Sequence, residues 1–527
     1  MSASFIDAID AGIRRSRHSE GTAGNARVLL ATRQRYSLSM MRRMVTQERL
    51  PVASPPAPAN RASSARTAIV WLLLCVAVPL LLVATAVPHV ALNTSELWLV
   101  LLLTAYSGTH LAVRFGRGDL RIASTTFWLF VYVAMSIATL AEVSTGLHPF
   151  LADANTLPQA VIITLVGCVA YNAAQLTRRL SPRRKGFAPK IRGIHYGRLN
   201  VIGAIGILAS IYYIQTIGLS NFFSSRADLT LGISQAGLVT NGSQVVSATV
   251  ESLAIVPLVL AWLGWTASLS RGAAVRRSPG GWLWYLTLSA FVVIVSNPIG
   301  NPRNLFLTVS LAALFCLPNL GQRGMRFVIA AGVVLAITVF PYSDYFRVAA
   351  ASRQPLQVNS VAVELATKDY DQMTMTANGV WYAGVFGHTN GSQLLSDGLF
   401  FVPHTVWPGR ATDTGVLIGK AMSDPSTNLS GPLWLEFWLD FSWLGLIVGF
   451  LAFGWVSALW DDLFIRLRRQ RHASPALLDL ALPLFASYQF ILVRGSILSA
   501  MGRMVVMAIL LLVVRGRPVT GEETQRT

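Results

Sequence analysis

Between residues 67 and 514 the chain returns repeatedly to apolar runs of about 17 to 25 residues, and nothing constrains its fold more. A run of that length matches the hydrocarbon core of a bilayer. There each backbone N–H and C=O must find its partner within the segment, so a helix is the form open to it. Twelve runs can be placed, near 67–87, 95–114, 123–143, 157–177, 199–218, 246–269, 282–298, 303–319, 325–341, 433–459, 475–493 and 498–514. With 53% hydrophobic and 13% charged residues and a mean hydropathy of +0.51, the composition lies far from soluble averages. The expectation is an all-α polytopic membrane protein with about twelve transmembrane helices. The seventh and eighth runs are short and separated only by NPIGNPRN, and the last two only by VRGS, so one of these pairs is a candidate re-entrant hairpin.

The net charge of +19 is nearly all arginine, since Lys185, Lys190, Lys368 and Lys420 are the only lysines. Membrane topology accounts for this excess better than nucleic-acid binding does, because Lys and Arg concentrate in short loops retained in the cytoplasm. One alternating set of short connections holds twenty Lys and Arg, whereas the other holds only Arg226, Arg303, Arg494 and Arg503. That bias predicts both termini inside and the segment 342–431 outside. Residues 1–66 carry eleven arginines and end in the Pro/Ala/Ser-rich PVASPPAPANRASSAR, which reads as a basic, disordered cytoplasmic tail without a secretory h-region. Residues 516–527 form a short C-terminal tail inside. Cys75, Cys168 and Cys316 all fall in apolar runs, so neither a disulfide framework nor a thiolate metal site is indicated.

The segment 342–431, between the ninth and tenth runs, is the one long polar stretch in the membrane region and too long for a plain connection. Its Arg347, Arg353, Lys368, Arg410 and Lys420, with His388, His404, Trp381 and Trp407, suit an anionic, sugar-bearing ligand. Arg303, Arg494 and Arg503 stand in or beside apolar runs, where a guanidinium requires an anion; its planar fork matches two phosphate oxygens. Snorkelling to headgroups is the plainer alternative for any one of them. Acid–base candidates on the same side are Glu436, about a turn inside the tenth run, Glu251 in the sixth, His388 and His404. Asp369-Tyr370-Asp371 imitates a metal-binding DxD but lies on the side where nucleotide sugars are not expected, so a helix-cap role fits it better. GVLIGKAM, residues 415–422, lacks the spacing of a phosphate loop, and no HExxH, paired His or Cys cluster points to a metal.

This layout resembles the Wzy-type polymerases of bacterial surface polysaccharide, the O-antigen or oligosaccharide repeat-unit polymerases. The resemblance spans about residues 67–515. It rests on FFSSRADLTLGISQAG, the NPRN helix start, FVPHTVWPGRATDTG in the long segment, SGPLWLEFWLDFSWLG after it, and the arginine-bearing final hairpin. Arg226, followed by ten residues and Gly237, matches the family's RX10G signature. A second copy expected in the long segment is missing, since Ala421 stands at that offset from Arg410.

The resemblance implies a GT-C-like glycosyltransferase in the bacterial cytoplasmic membrane, acting at its outer face on oligosaccharide repeat units linked to undecaprenyl diphosphate. One chain would be transferred onto the terminal sugar of another. Arg226, Arg303, Arg347, Arg410, Arg494 and Arg503 would hold the diphosphate, and His404 or Glu436 would serve as base. The lipid-linked oligosaccharide, the membrane, a chain-length regulator and a flippase are the implied partners, with no cofactor, metal or nucleic acid. An O-antigen ligase shares the architecture, and a multi-helix lipid-oligosaccharide flippase is the alternative from another class.

Overall fold

The computed structural model describes residues 61–86, 94–118, 121–148, 151–180, 191–235, 244–271, 278–317, 322–343, 360–366, 370–402, 405–423, 429–469 and 475–518. Among the described residues seven helices are long and apolar enough to cross a membrane: α1 (Ser63–Thr85), α2 (Ser95–Arg117), α3 (Ile122–Thr145), α4 (Ala154–Leu180), α5 (Tyr196–Ile217), α16 (Leu433–Arg469) and α17 (Leu477–Arg494). Shorter apolar stretches, Ile255–Leu269, Pro279–Val295, Arg303–Cys316, Gly324–Val334 and Ile497–Val513, fall on the other five runs seen in the sequence. They belong to α8 (Gln244–Arg271), α9 (Pro279–Val295), α10 (Arg303–Cys316), α11 (Gln322–Ser343) and α18 (Ile497–Val513). Between the membrane helices lie α6 (Leu219–Ser224), α7 (Arg226–Gln235), α12 (Val361–Ala366), α13 (Gln372–Phe386), α14 (Ser392–Gly398) and α15 (Thr414–Ala421).

Two apolar cores organise the bundle. The first gathers side chains of α1 to α4, α11, α12, α13 and α16, the second those of α5, α8, α9 and α18, and α10 contributes to both. Helix α17 also serves both, because Leu480, Leu484, Tyr488 and Ile491 face the second core while Leu482, Ala486 and Val493 face the first. Helix α3 is the centre of the first: 94% of its apolar stretch is buried, against 11% for α1, whose Leu72, Leu73, Leu80 and Leu81 point outward. Helices α4 and α16 meet closely where Gly454 passes over the Tyr171 backbone; a Cβ there would lie 2.3 Å from the Tyr171 carbonyl oxygen. The Trp434 indole donates to the Thr164 carbonyl at 3.1 Å and lies against Gly167. Small residues thus let two long helices approach without an apolar driving force from water.

The two ends of the bundle differ. At one, a two-stranded antiparallel ribbon joins β1 (Arg192–Ile194) to β2 (Arg515–Pro518). Arg468 donates to the Phe315 and Leu317 carbonyls at 3.1 and 3.0 Å, and Arg121 and Arg178 each lie 3.7 Å from Asp462. Asp461 supplies the N-terminal cap that α3 lacks in its own sequence, accepting from the amides of Ala123 (2.9 Å) and Ser124 (3.2 Å). At the other end lie α6, α7, the turn 296–302, the start of α18 and the helices of the long segment.

That segment does not simply rest outside the bundle. Every residue of Gln372–Val380, the first half of α13, is buried, and the helix packs against α4, α15 and α16. The Asn378 side chain accepts from the Ala152 amide at 2.9 Å. Helix α16 is itself two pieces, broken at Phe441 and Ser442, the latter at φ 53° and ψ −139°.

Candidate functional site

Each arginine singled out in the sequence and described in the structure stands at or near a helix end, or in a loop, at the end of the bundle that bears the long segment. Arg226 is the first residue of α7 and Arg303 the first of α10, both half-buried. Their elements touch. A Cβ on Gly300 would lie 2.7 Å from the Phe222 carbonyl oxygen, which seats the turn 296–302 directly on α6. That turn is held by the Asn297 side chain, which accepts from the amides of Ile299 (3.0 Å) and Gly300 (3.1 Å). Arg494 closes α17 and Arg503 lies in the second turn of α18. Cys316, at the far end of α10, donates its thiol to the Asp479 carbonyl at the start of α17 at 3.8 Å. The two helices therefore run antiparallel, and Arg303 and Arg494 share one end.

Arg410 is buried and spends Nη1 on the Phe400 and Val402 carbonyls, at 3.0 and 2.6 Å, while its Nε finds no partner among the described residues. Arg347, His404 and Gly237 lie outside the described residues, as does the side chain of Glu251. His388 is described: its Nδ1 lies 3.3 Å from the Leu439 carbonyl and its ring meets the Trp438 face edge-on.

Glu436 sits in the first piece of α16, 1% exposed, and neither carboxylate oxygen makes a hydrogen bond among the described residues. The Thr414 hydroxyl faces it, outside hydrogen-bond geometry. Around it stand three further carboxylates that the sequence reading did not single out. Asp440, one turn along α16, takes the Gln393 and Leu394 amides (3.2 and 2.7 Å) and the Thr389 hydroxyl (2.6 Å), so it caps α14 and holds it against α16. Asp397 lies at the far end of α14, buried, with Oδ2 unpartnered. Burial, then the charges of Asp440 and Asp413, push its carboxyl up to about 8. Asp413 caps α15 through the Gly415 amide (3.0 Å) and accepts the Ser496 hydroxyl, tying the α17–α18 turn to the long segment. Burial raises its carboxyl, and the bonds from Ser496 and the backbone offset part of that rise.

Apart from Asp369, which lies outside the described residues, the two imitation motifs resolve into ordinary structure. GVLIGKAM forms most of helix α15. Asp371 occupies the N-cap position of α13 and accepts the Ser430 amide at 3.2 Å, bracing the start of that helix against the approach to α16. A second buried carboxylate, Glu142 of α3, accepts the Thr374 hydroxyl at 3.3 Å to each oxygen. The signal for Glu142 was in the sequence, as a lone acid inside an apolar run. So was that for Asp440, four residues after Glu436 in LWLEFWLDF. Nothing in LLSDG marks Asp397.

Chemically, this end of the bundle offers cationic groups that do not titrate, at the ends of converging elements, and a dry carboxyl group with unused hydrogen-bonding capacity. Among the described residues no three His, Cys, Asp or Glu side chains gather in a metal-holding arrangement. No family model, no curated protein and no solved structure matches the chain, which leaves these residues as the whole basis for a functional reading.

Proposed function

We propose that the protein is a glycosyltransferase that polymerises oligosaccharide repeat units carried on a lipid diphosphate, working at the extracytoplasmic face of a bacterial cytoplasmic membrane. The observation that carries this reading is the pairing, at one end of the bundle, of the arginine-bearing helix ends with the buried, unpartnered carboxyl of Glu436. Glycosyl transfer from a lipid diphosphate breaks the anomeric C–O bond and leaves growing negative charge on the diphosphate. Arg226, Arg303, Arg410, Arg494 and Arg503 suit that charge, each well-placed donor contributing about 3 kcal/mol to the transition state. Attack by a sugar hydroxyl delivers a proton to a base within hydrogen-bond reach, and Glu436 is the described group suited to take it. Because arginines neutralise the leaving group and the donor carries its own activation energy, neither a divalent ion nor a nucleotide is required.

Purified protein in detergent, given only lipid-diphosphate-linked repeat units and excess EDTA, should build a ladder of longer glycans and release free lipid diphosphate. A ligase would consume the donor only when a separate acceptor was added. The buried carboxyls Glu142 and Glu436 also favour a second reading, a proton-coupled carrier of the same lipid-linked substrate, since such groups form proton relays in transporters. A carrier builds nothing in detergent, where there are no two sides to cross between. Folded, lipid-binding protein that yields no ladder would move the reading to ligase or carrier.

A further inference from the structure

Two carboxyl groups in this site face the same difficulty. Asp397 is 3% exposed and Glu436 1%, and three of their four oxygens find no donor among the described residues. Helix geometry sets both one turn from a shared anchor, and the charge of Asp397 acts on Glu436. Asp440 binds the amides of Gln393 and Leu394 and so anchors the first turn of α14 on α16. Glu436 lies four residues before Asp440 on α16, and Asp397 three to four residues after the anchored amides on α14, so each is one turn from the anchor. Thr414, 1% exposed and without a hydrogen-bond partner among the described residues, faces Glu436 from a third side.

Two of the charged groups on the surrounding elements are acids like the pair itself. Helix α16 contributes Asp440 and the connection between α14 and α15 Asp413, both acids, while α18, which packs on α14, carries Arg503 as its only titratable residue. Arg410 turns Nη1 away onto two carbonyls. Two like charges placed close together out of water do not both ionise, and such pairs in other proteins hold a single proton.

We propose that Asp397 and Glu436 share one proton, with Asp397 as the positioning residue whose acid form orients the Glu436 carboxylate toward an incoming sugar hydroxyl. This rests on the glycosyltransferase reading. As the hydroxyl oxygen bonds to the anomeric carbon, its proton passes to Glu436 and the diphosphate leaves with the electron pair of the broken C–O bond. The pair then carries two protons, and loss of one to the departing diphosphate or to water restores the starting state.

Infrared difference titration of the full chain in detergent tests the couple without reference to activity. Wild type minus Asp397→Asn and wild type minus Glu436→Gln should each show a protonated-carboxyl C=O band at pH 7, shifted in D2O and lost above about pH 8. A band missing from either difference spectrum overturns the proposal, even if glycan ladders form. Both bands together with no ladder would leave the couple standing and reject the polymerase. In the ladder assay, Glu436→Gln should slow transfer about 100-fold or more. Asp397→Asn should slow it roughly 10-fold and remove the alkaline fall in the rate, whereas Asp397→Glu should restore that fall. A purely structural role for Asp397 predicts an even loss at every pH, and that result would also overturn the proposal.

Discussion

Asp440 of α16 and Asp397 of α14 illustrate how differently two buried aspartates behave at the two ends of one short helix. Asp440 is satisfied by two amides and a hydroxyl, and Asp397 is not. Because the carboxyl of Asp397 is raised from its ordinary 3.8 to about 8, the folded chain holds a proton there that the unfolded chain has released. Stability therefore falls as pH rises between those values, by up to about 1.4 kcal/mol per pH unit from this group alone. Thermal melts in detergent from pH 5 to 8 should show the decline, and Asp397→Asn should flatten it. At this scale the sequence was readable where chemistry and place conflict, as with Glu436 inside an apolar run or Arg303 opening a helix. It was unreadable where a role depends on distant partners. Asp397 stands in an ordinary polar stretch, and only the folding of α14 onto α16 buries it.

At the scale of the helix, hydropathy was a sufficient guide, because a bilayer leaves an apolar run little choice but to be helical. Each of the twelve runs coincides with a helix, and among the described residues seven of them are long and apolar enough to be read as crossings. The break in α16 had no such signal: neither Gly nor Pro occurs at Phe441–Ser442, and a serine at φ 53° is held there by tertiary packing. Close helix contacts are similarly silent in sequence, since one glycine among 41 looks like any other. Gly454 is one that the fold cannot spare. Gly454→Val would drive side-chain carbon into the Tyr171 backbone, and a cost of at least about 3 kcal/mol is expected, because backbone cannot move aside as a side chain can. Loss of monodisperse protein in size-exclusion chromatography, with Gly280→Val unaffected because nothing lies near its Cβ position, would establish the point.

Over the whole molecule, the arginine asymmetry makes the most exposed prediction. If short basic loops mark the cytoplasmic side, a reporter active only outside the cytoplasm should work when fused at Ser392 and fail when fused at Ala273. The reverse pattern would put the converging arginines on the side where a flipped lipid-linked glycan is absent, and the polymerase reading would end there. The buried first half of α13 has a further consequence, for the order in which the chain matures on the ribosome. Its packing partners include α4, made long before it, and α16, made after it. While translation passes through residues 387–432, α13 has only half of its cavity, and its buried Gln372, Thr374 and Asn378 must wait in a solvated or chaperoned form. The site can close only after α16 has been threaded into the membrane, so a chain interrupted before Leu433 would leave the insertion machinery with its earlier membrane helices in place and its chemistry unassembled.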